Sequence, residues 1–233
     1  MTDDPEVPGD NSSSPERSPA KAVRLPFPPV VLGIAGSSGS GKTTLALELA
    51  RMLNGMHFPL DHYYLDLTHL PFEQRVQQNF DDPAMIDSAL LAAHVAALAR
   101  GETIERPVYD FATYTRLPNK TETIQPCAYL LVEGLFALYY PELQPLYKFG
   151  IYVETPDHVC FERRLKRDVE QRGRTEESVR HRYETTVRPA RIQFVQPSAK
   201  SADLILDGTE ALDWKVEQAL AGLRANGLLH RAR

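Results

Sequence analysis

The chain carries the sequence Gly36-Ser37-Ser38-Gly39-Ser40-Gly41-Lys42-Thr43, a short loop of glycines and serines that ends in lysine and threonine. An apolar run at residues 30–35 precedes the loop and is typical of a buried strand. Residues 44–51 follow the loop with helical spacing and good helix formers. A strand, a G-x-x-x-x-G-K-[ST] loop and a helix in this order predict a phosphate-binding loop, whereas a small-residue surface loop would not require these neighbours.

Each residue type in this loop suits an anion. Glycine lets the backbone approach a phosphate closely, because it has no Cβ and adopts positive φ at little cost. The loop amides and the helix N-terminus point their positive ends at the anion. We expect Lys42 to bridge the β- and γ-phosphates of a nucleoside triphosphate and the Thr43 hydroxyl to bind Mg²⁺. The residues expected around the nucleotide are Gly36, Ser37, Ser38, Gly39, Ser40, Gly41, Lys42, Thr43 and Thr44.

The bulk composition is that of an ordinary globular protein. The 233 residues are 42% hydrophobic and 24% charged, which suits one domain or one domain with a small insertion. A formal net charge of −5 argues against binding to nucleic acid or to a membrane surface. The two cysteines have no metal or redox spacing, and neither a signal peptide nor an apolar run of membrane-spanning length is evident. We therefore expect a cytoplasmic protein.

The domain organisation follows from composition and periodicity. Residues 1–29 are rich in Pro, Ser, Asp and Glu and are predicted to form a disordered tail. Residues 30–233 alternate strands with helices, which predicts an α/β domain of the P-loop NTPase type, with a mostly parallel sheet and helices on both faces. Within it, residues 103–124 are predicted to form a small β insertion and residues 156–190 a helical lid. Further predicted elements are helices at 72–79, 89–100, 156–172, 176–188 and 210–225 and strands at 56–60, 129–134, 149–154 and 202–206.

Two carboxylates follow apolar runs, where strands are predicted to end. Asp61 comes after strand 56–60 and just before Tyr63-Tyr64, so we expect it at the ligand edge of the sheet. There it suits a base that accepts the proton of an attacking hydroxyl, with a turn cap as the alternative. Glu133 follows a buried apolar run, where a charge must be paired or bind metal. It is predicted to face Mg²⁺, with a strand-terminal ion pair as the alternative.

A series of arginines follows the third core strand: Arg163, Arg164, Arg167, Arg172, Arg174, Arg180 and Arg182. Most of them fit a solvated helix face, because glutamates are interleaved among them. The same glutamates and the negative net charge argue against an RNA-binding face. Arg172-Gly173-Arg174 differs, since it lies at a break between two predicted helices. A lid that closes there would bring two guanidinium groups onto phosphate.

Beyond the phosphate loop, a set of short motifs occurs in order along the chain: Asp61-His62-Tyr63-Tyr64, Asn79-Phe80-Asp81-Asp82-Pro83, Tyr109-Asp110-Phe111, Glu133-Gly134, Arg167-Asp168-Val169-Glu170-Gln171-Arg172-Gly173-Arg174, Val187-Arg188-Pro189, Gln193-Phe194-Val195-Gln196-Pro197 and Ser201-Ala202-Asp203. Together with the loop, this set resembles the uridine–cytidine kinases over about residues 30–207. The phosphate loop alone is shared with many proteins, but the ordered set is specific to this family.

The resemblance implies a homotetrameric kinase of pyrimidine salvage, which phosphorylates the 5′-hydroxyl of uridine or cytidine with ATP or GTP and Mg²⁺. It implies that Asp61 is the general base, that Thr43 and Glu133 form the Mg²⁺ shell, and that Asp61 and Asp81 hold the ribose hydroxyls. The remaining residues that it implies line the nucleoside pocket (Tyr64, Phe80 and Tyr109) or serve phosphate and nucleoside closure (Arg164, Arg167, Arg172 and Arg174).

Two positions depart from the family pattern. Tyr114 stands where many members carry His, and Arg182 where several carry Gln, both near the expected nucleoside site. A tyrosine whose proton is committed to a carboxylate offers only lone pairs to the base. It would favour the N4 amine of cytosine over the O4 of uracil. We therefore expect cytidine to be preferred over uridine.

Three other functions remain open on the sequence. A kinase of the same architecture with another acceptor, such as phosphoribulokinase or pantothenate kinase, shares the phosphate loop. A GTPase switch is disfavoured, because Asn119-Lys120-Thr121-Glu122 lacks the final Asp of N-K-x-D and no D-x-x-G occurs. A non-enzymatic nucleotide-sensing regulator is the third alternative.

Overall fold

The structure is a computed structural model and describes residue 25 and residues 27–229. The predicted tail therefore lies mostly outside the described residues. The strands are β1 Val30–Gly36, β2 Met56–Pro59, β3 Ile104–Asp110, β4 Thr115–Ile124, β5 Tyr129–Glu133, β6 Phe149–Glu154 and β7 Leu204–Asp207. Five of them form one parallel sheet in the order β2-β5-β1-β6-β7. The strand that enters the phosphate loop lies at its centre, as the predicted fold class requires.

Helices cover both faces of this sheet. They are α1 Lys42–Leu53, α2 Phe72–Val76, α3 Ser88–Ala99, α4 Asp157–Arg172, α5 Glu176–Arg182, α6 Arg188–Ala190 and α7 Leu212–Ala225. On one face, Leu45 and Leu49 of α1 pack with Val216 and Ala219 of α7. On the other face, α3 contributes Leu91 to a second core. The apolar, branched residues of β1 and β5 are buried on both sides, as parallel strands of a covered sheet must be.

The remaining strands, β3 and β4, form a separate antiparallel hairpin. It spans most of residues 103–124. Its pairing register shifts between Pro107 and Tyr109, where the proline cannot donate to the ladder. The hairpin is therefore a two-stranded extension of the α/β domain, separate from its main sheet.

Some predicted boundaries are wrong. The helix predicted at 72–79 ends at Val76. The helix predicted at 176–188 runs on instead through π-type turns at Tyr183–Val187 and Arg191–Val195. Pro189 has no amide N–H to continue a regular ladder, and widened turns on both sides of α6 accommodate it. Strand β7 and helix α7 each begin two residues later than predicted.

Membrane insertion finds no support in the helices. Among the described residues, no helix combines the length and the apolar composition that a span needs.

Candidate active site

The phosphate loop joins β1 to α1 with two glycines in the left-handed region. Gly39 has φ 87°, and a Cβ there would lie 2.5 Å from the carbonyl oxygen of Cys160. Gly41 has φ 92° and is the N-cap of α1, but no side chain caps the first amides of that helix. Those amides are left for a ligand, and the helix dipole adds positive potential to them. The loop thus has the form of an anion cradle.

Glu133, at the end of β5, is the centre of a polar cluster beside the loop. Its Oε1 accepts a hydrogen bond from Thr43 Oγ1 at 3.0 Å and lies 3.8 Å from Lys42 Nζ. Its Oε2 lies 3.0 Å from Nε2 of His57 on β2. Burial by itself would raise the pKa of Glu133, but the His57 hydrogen bond and the Lys42 charge outweigh it and lower the pKa. Glu133 is therefore an anion, and it lies next to the Thr43 hydroxyl.

The donor set suits a hard divalent cation. A hydroxyl and a carboxylate oxygen stand side by side, which matches how Mg²⁺ is bound by one or two protein oxygens together with substrate phosphates. No group of three or more His, Cys, Asp or Glu side chains that could hold a metal occurs among the described residues.

Asp61 lies in the 3-10 turn Leu60–Tyr63 directly after β2 and keeps part of its surface exposed to solvent. The surrounding protein nevertheless desolvates the carboxylate, and the negative charge of Glu133 acts in the same direction. Lys42 and Arg172 oppose them in part, and the pKa of Asp61 is raised to about 6. A carboxylate with such a pKa is ionised at neutral pH and is a better base than an ordinary aspartate.

Four predicted pocket residues form one aromatic cluster. The ring of Tyr64 contacts Phe80 and Tyr109, with centroids 5.2 and 5.6 Å away. Tyr114 stacks on Phe80 at 5.0 Å and an interplanar angle of 26°. The Tyr64 hydroxyl also donates to the carbonyl of Phe80 at 3.1 Å. Residues from three separate segments therefore make a wall of flat surfaces, which is what a nucleobase or a similar ring requires.

Tyr114 has an unusual backbone. Its φ of 58° lies in the left-handed region, where a bulky residue is an outlier. Arg75 donates to the carbonyl of the preceding Thr113 at 3.2 Å, and the stacking on Phe80 fixes the ring. Contacts on both sides thus hold a conformation that the turn alone would not favour. No hydrogen bond joins the Tyr114 hydroxyl to a carboxylate among the residues that the structure describes.

The loop at residues 77–82 carries Asp81 and contacts Arg182 of α5. Asp81 is buried and lines a small cavity with Ser37 and Ser38 of the phosphate loop. Arg182 donates to the carbonyl of Gln78 at 3.3 Å. The segment that carries Phe80 is therefore held between the phosphate loop and the long helical region.

The arginine series divides into two groups. Arg180 is exposed and pairs with Glu176, as a solvated helix face predicts. Arg164 does not fit that interpretation, because it is buried and donates to Ser38 Oγ at 3.0 Å. Arg167, Arg172 and Arg174 approach Asp168, as Arg164 does. Helical spacing places Arg164 and Asp168 on one face of α4, and Gly173, with φ 63°, turns the chain so that Arg174 returns to it.

Comparison with known proteins identifies the family of this chain. Residues 31–213 match the family described as Phosphoribulokinase / Uridine kinase family. The chain belongs to this family. A uridine kinase of Chloroflexus aurantiacus is 42% identical over 204 residues, which cover 84% of this chain and 97% of that protein. The uridine kinase of Escherichia coli strain K12 is 42% identical over 184 residues, or 76% of this chain and 86% of that protein.

Solved structures support the fold. A candidate fructose transport system kinase from Silicibacter sp. TM1040 superposes with a TM-score of 0.62 at 21% identity, covering 78% of this chain and 91% of that one. YFH7 from Saccharomyces cerevisiae gives 0.57 at 13% identity, covering 77% and 92%. As a member of its family the chain is a kinase, and its phosphate donor is a nucleotide.

Several residues of this kinase site received no role from the sequence. Arg191 donates to Ser37 Oγ at 3.0 Å and to Asp157 at 2.9 Å, so it fixes the phosphate loop from the long helical region. The side chain of His57 contacts Glu133, and that of Asp168 contacts the predicted site arginines. Arg116 donates to the backbone carbonyls of Tyr63 and Tyr64, which follow Asp61. Of these residues, only Asp168 has a sequence signal for a place in the site, because it lies between arginines that are predicted to belong to it.

Proposed function

We propose that this kinase transfers the γ-phosphoryl group of ATP or GTP to the 5′-hydroxyl of a pyrimidine ribonucleoside. One observation carries the proposal: Asp61 follows β2 two residues after Pro59, the strand partner of Glu133, and Lys42, Glu133 and Asp81 all lie close enough to affect its pKa. This supports a meeting of donor and acceptor at the Asp61 carboxylate. That is the position that a general base for phosphoryl transfer needs.

In the proposed reaction, the Asp61 carboxylate accepts the proton of the 5′-hydroxyl. The freed oxygen forms a bond to the γ-phosphorus, and the bond from that phosphorus to the β-phosphate oxygen breaks. Lys42 and the arginines of α4 and its C-terminal turn offset the charge on the transferred group. Asp81 holds ribose hydroxyls, and the aromatic rings exclude water from the base.

Mg²⁺ is the proposed metal. Thr43 would bind it directly, and Glu133 would bind it or its waters, because both offer hard oxygen donors. When bound, the ion supplies charge neutralisation on the β- and γ-phosphates.

The aromatic cluster supports a nucleoside rather than another hydroxyl acceptor, and the relatives carry the name uridine kinase. The test is turnover of ATP and of GTP with uridine, cytidine, adenosine, ribulose 5-phosphate and pantothenate side by side. We expect ADP or GDP production with uridine or cytidine. Faster turnover with either of the last two would contradict the proposal, and donor binding without any turnover would favour a regulator.

We further propose that Tyr114 contacts the edge of the base and that cytidine is preferred over uridine. The position of Tyr114 in the aromatic cluster supports the contact. The expectation that a carboxylate accepts the proton of the Tyr114 hydroxyl has no such support, because no carboxylate of the described residues accepts a hydrogen bond from it. An unpaired buried acceptor costs about 1–3 kcal/mol, so the preference would be about tenfold to a hundredfold in kcat/KM.

Steady-state kcat/KM for both nucleosides tests the base preference. Tyr114→His should broaden the enzyme towards uridine, and histidine is tolerated better at positive φ than most residues. Tyr114→Phe keeps the stacked ring and loses only the hydroxyl, so it should remove the discrimination while both nucleosides still bind. Equal use of uridine and cytidine by the unmodified enzyme would refute the preference.

The remaining proposals concern the setting of this activity. We propose a cytoplasmic enzyme of pyrimidine salvage that assembles as a homotetramer, with residues 103–124 as an insertion beside the acceptor and residues 156–190 as a lid over the donor. The kinship with uridine kinases supports this assignment. Light scattering of the purified chain at several concentrations tests the assembly.

A further inference from the structure

Asp168 is the most completely buried charged side chain near the phosphate loop. Its exposed fraction is 0%, and guanidinium groups from four arginines approach it. Arg167 Nε donates to Oδ1 at 3.0 Å, and Arg172 Nη1 lies 3.2 Å from the same oxygen. Arg174 Nη1 donates to Oδ2 at 2.9 Å, and Arg164 Nε lies 3.6 Å from it. We call Arg164, Arg167, Arg172 and Arg174 the arginine cluster.

Stability is a poor explanation for this arrangement. A buried ion pair gains little net free energy, because desolvation of the charges offsets their attraction. Here four positive charges surround one negative charge, so the arginines also repel one another. Burial and the neighbouring guanidinium groups lower the pKa of both Arg164 and Arg172. Asp81 also attracts Arg164, but the cluster keeps an excess of positive charge that suits a further anion.

Asp168 contacts the backbone as well as the arginine side chains. Its backbone carbonyl accepts a hydrogen bond from the amide of Arg174 at 3.1 Å, so it also fixes the turn at Gly173. The cluster in turn contacts the phosphate loop, because Arg164 donates to Ser38 Oγ at 3.0 Å and Arg167 at 3.5 Å. Asp168 therefore links the arginines to one another and to the turn at Gly173, and Arg164 and Arg167 connect it to the phosphate loop.

We propose that Asp168 is a positioning residue for phosphoryl transfer, which gathers the arginine cluster and aims it at the phosphates held by the loop. The inference rests on the proposed function for what the arginines bind. Asp168 itself does not touch the nucleotide. It acts by giving four flexible side chains one geometry before the donor arrives, and preorganisation of this kind lowers the cost of charge stabilisation in the transition state.

Asp168→Asn is the direct test, because it keeps the size of the side chain and removes its charge. We expect kcat to fall by about 10²-fold and the KM for ATP to rise, while the KM for the nucleoside stays within about twofold, since small misplacements of catalytic groups have effects of this size. Asp168→Glu keeps the charge and should restore part of kcat. Glu176→Gln is the matched control, because it breaks an exposed arginine–carboxylate pair in the same helical region and should leave both constants unchanged.

A double variant distinguishes positioning from a loss of folding. If Asp168 acts through the cluster, Asp168→Asn combined with Arg174→Gln should lose little more activity than the worse single variant. Multiplied losses would overturn the proposal. So would an Asp168→Asn enzyme with unchanged kcat, or one whose loss matches the fraction unfolded by circular dichroism.

Donor binding separates this inference from the proposed function. Titration with the non-hydrolysable ATP analogue AMP-PNP and Mg²⁺ needs no acceptor, so it reports on the cluster even if no nucleoside is turned over. Weaker binding in Asp168→Asn than in Glu176→Gln supports the positioning role, and equal binding overturns it. The acceptor panel alone tests the nucleoside.

Discussion

The phosphate-loop region, which is the proposed donor side of the cleft, and the aromatic cluster, which is its proposed acceptor side, are built differently. On the donor side, one continuous segment runs from β1 through the phosphate loop into α1, and buried carboxylates hold its partners, as Glu133 holds Thr43 and Lys42. On the acceptor side, rings from separate segments contact one another, and the hairpin β3–β4 shares no ladder with the main sheet. Backbone and charge therefore fix the donor side, whereas side-chain packing assembles the acceptor side.

One arginine joins the hairpin to the turn that carries Asp61, the proposed catalytic turn. Arg116 of β4 donates from Nε to the carbonyl of Tyr64 at 3.0 Å and from Nη2 to that of Tyr63 at 3.3 Å. It also bonds the Asp87 carboxylate at 3.2 Å. The acceptor wall is thereby tied to the residues that follow Asp61. If the two sides differ as described, substitutions on each should change different kinetic constants.

Asp61, where the two sides meet, should give the largest effect. Asp61→Asn removes the proton acceptor, and a positioned general base is worth about 10²–10⁴-fold in rate. We expect kcat to fall by that factor with little change in the KM for ATP. Asp213→Asn, an exposed change at the start of α7, is the control and should be silent. Near-normal kcat in Asp61→Asn would leave Asp61 as a turn residue only.

The pH dependence of kcat/KM tests the role of the Asp61 carboxylate independently. Because the pKa of Asp61 is raised to about 6, the carboxylate is ionised above that pH and protonated below it. The protonated form cannot accept the hydroxyl proton, so kcat/KM should fall by about tenfold per unit as pH decreases below about 6. The unmodified enzyme should show this acid limb. A flat profile down to pH 4.5 would contradict both the raised pKa and the base.

On the donor side, Lys42→Ala and Thr43→Ala should both disable turnover, by about 10²–10³-fold each, the usual loss for one group that stabilises transition-state charge. The expected causes differ, because Lys42 is proposed to contact the transferred phosphoryl group and Thr43 to bind Mg²⁺. Excess Mg²⁺ should therefore ease the Thr43→Ala defect and not the Lys42→Ala defect. Lys120→Ala, at an exposed lysine of β4, controls for loss of a positive charge. An identical response of both variants to metal would make this division of roles wrong.

The same contrast explains what the sequence could predict. The phosphate loop, the parallel sheet and its covering helices follow from contiguous patterns, and the structure agrees with them. The contacts of Arg116, Arg191 and His57 could not be predicted, because each joins segments far apart in the chain and nothing local distinguishes these side chains from surface residues. Which arginines of the series are solvated could not be predicted for a related reason, since the burial of Arg164 depends on Asp168 and the phosphate loop together.

Arg116→Lys tests the tie between the hairpin and the catalytic turn. Lysine keeps the charge but cannot bond two carbonyls and a carboxylate at once, because it lacks the planar fork. We expect kcat to fall and the nucleoside KM to rise together, by about tenfold, the cost of losing one or two buried hydrogen bonds. The KM for ATP should not change. Arg100→Lys alters an exposed pair with Glu102 and serves as the control. A changed KM for ATP in Arg116→Lys would mean that the two sides are not independent.

The smallest effect is expected from Phe80→Leu. Phe80 is the ring on which Tyr114 stacks, and it also contacts Tyr64, whose hydroxyl binds the Phe80 carbonyl rather than its side chain. Leucine keeps the apolar volume and the backbone contact but removes the two aromatic pairs, each worth about 0.5–1.5 kcal/mol. These pairs stabilise the free protein as well as the complex, so only part of their free energy should appear in binding. We expect the nucleoside KM to rise by less than about tenfold, while kcat and the KM for ATP stay constant. Phe72→Leu is the matched control, because Phe72 is 49% exposed and its ring lies 6.3 Å from Tyr114 on the outside of the cluster. It should change the nucleoside KM by less than about twofold. Equal effects of the two substitutions would mean that the cluster does not line the acceptor pocket, and a fall in kcat with Phe80→Leu would mean that packing on this side also sets the geometry of the reacting groups.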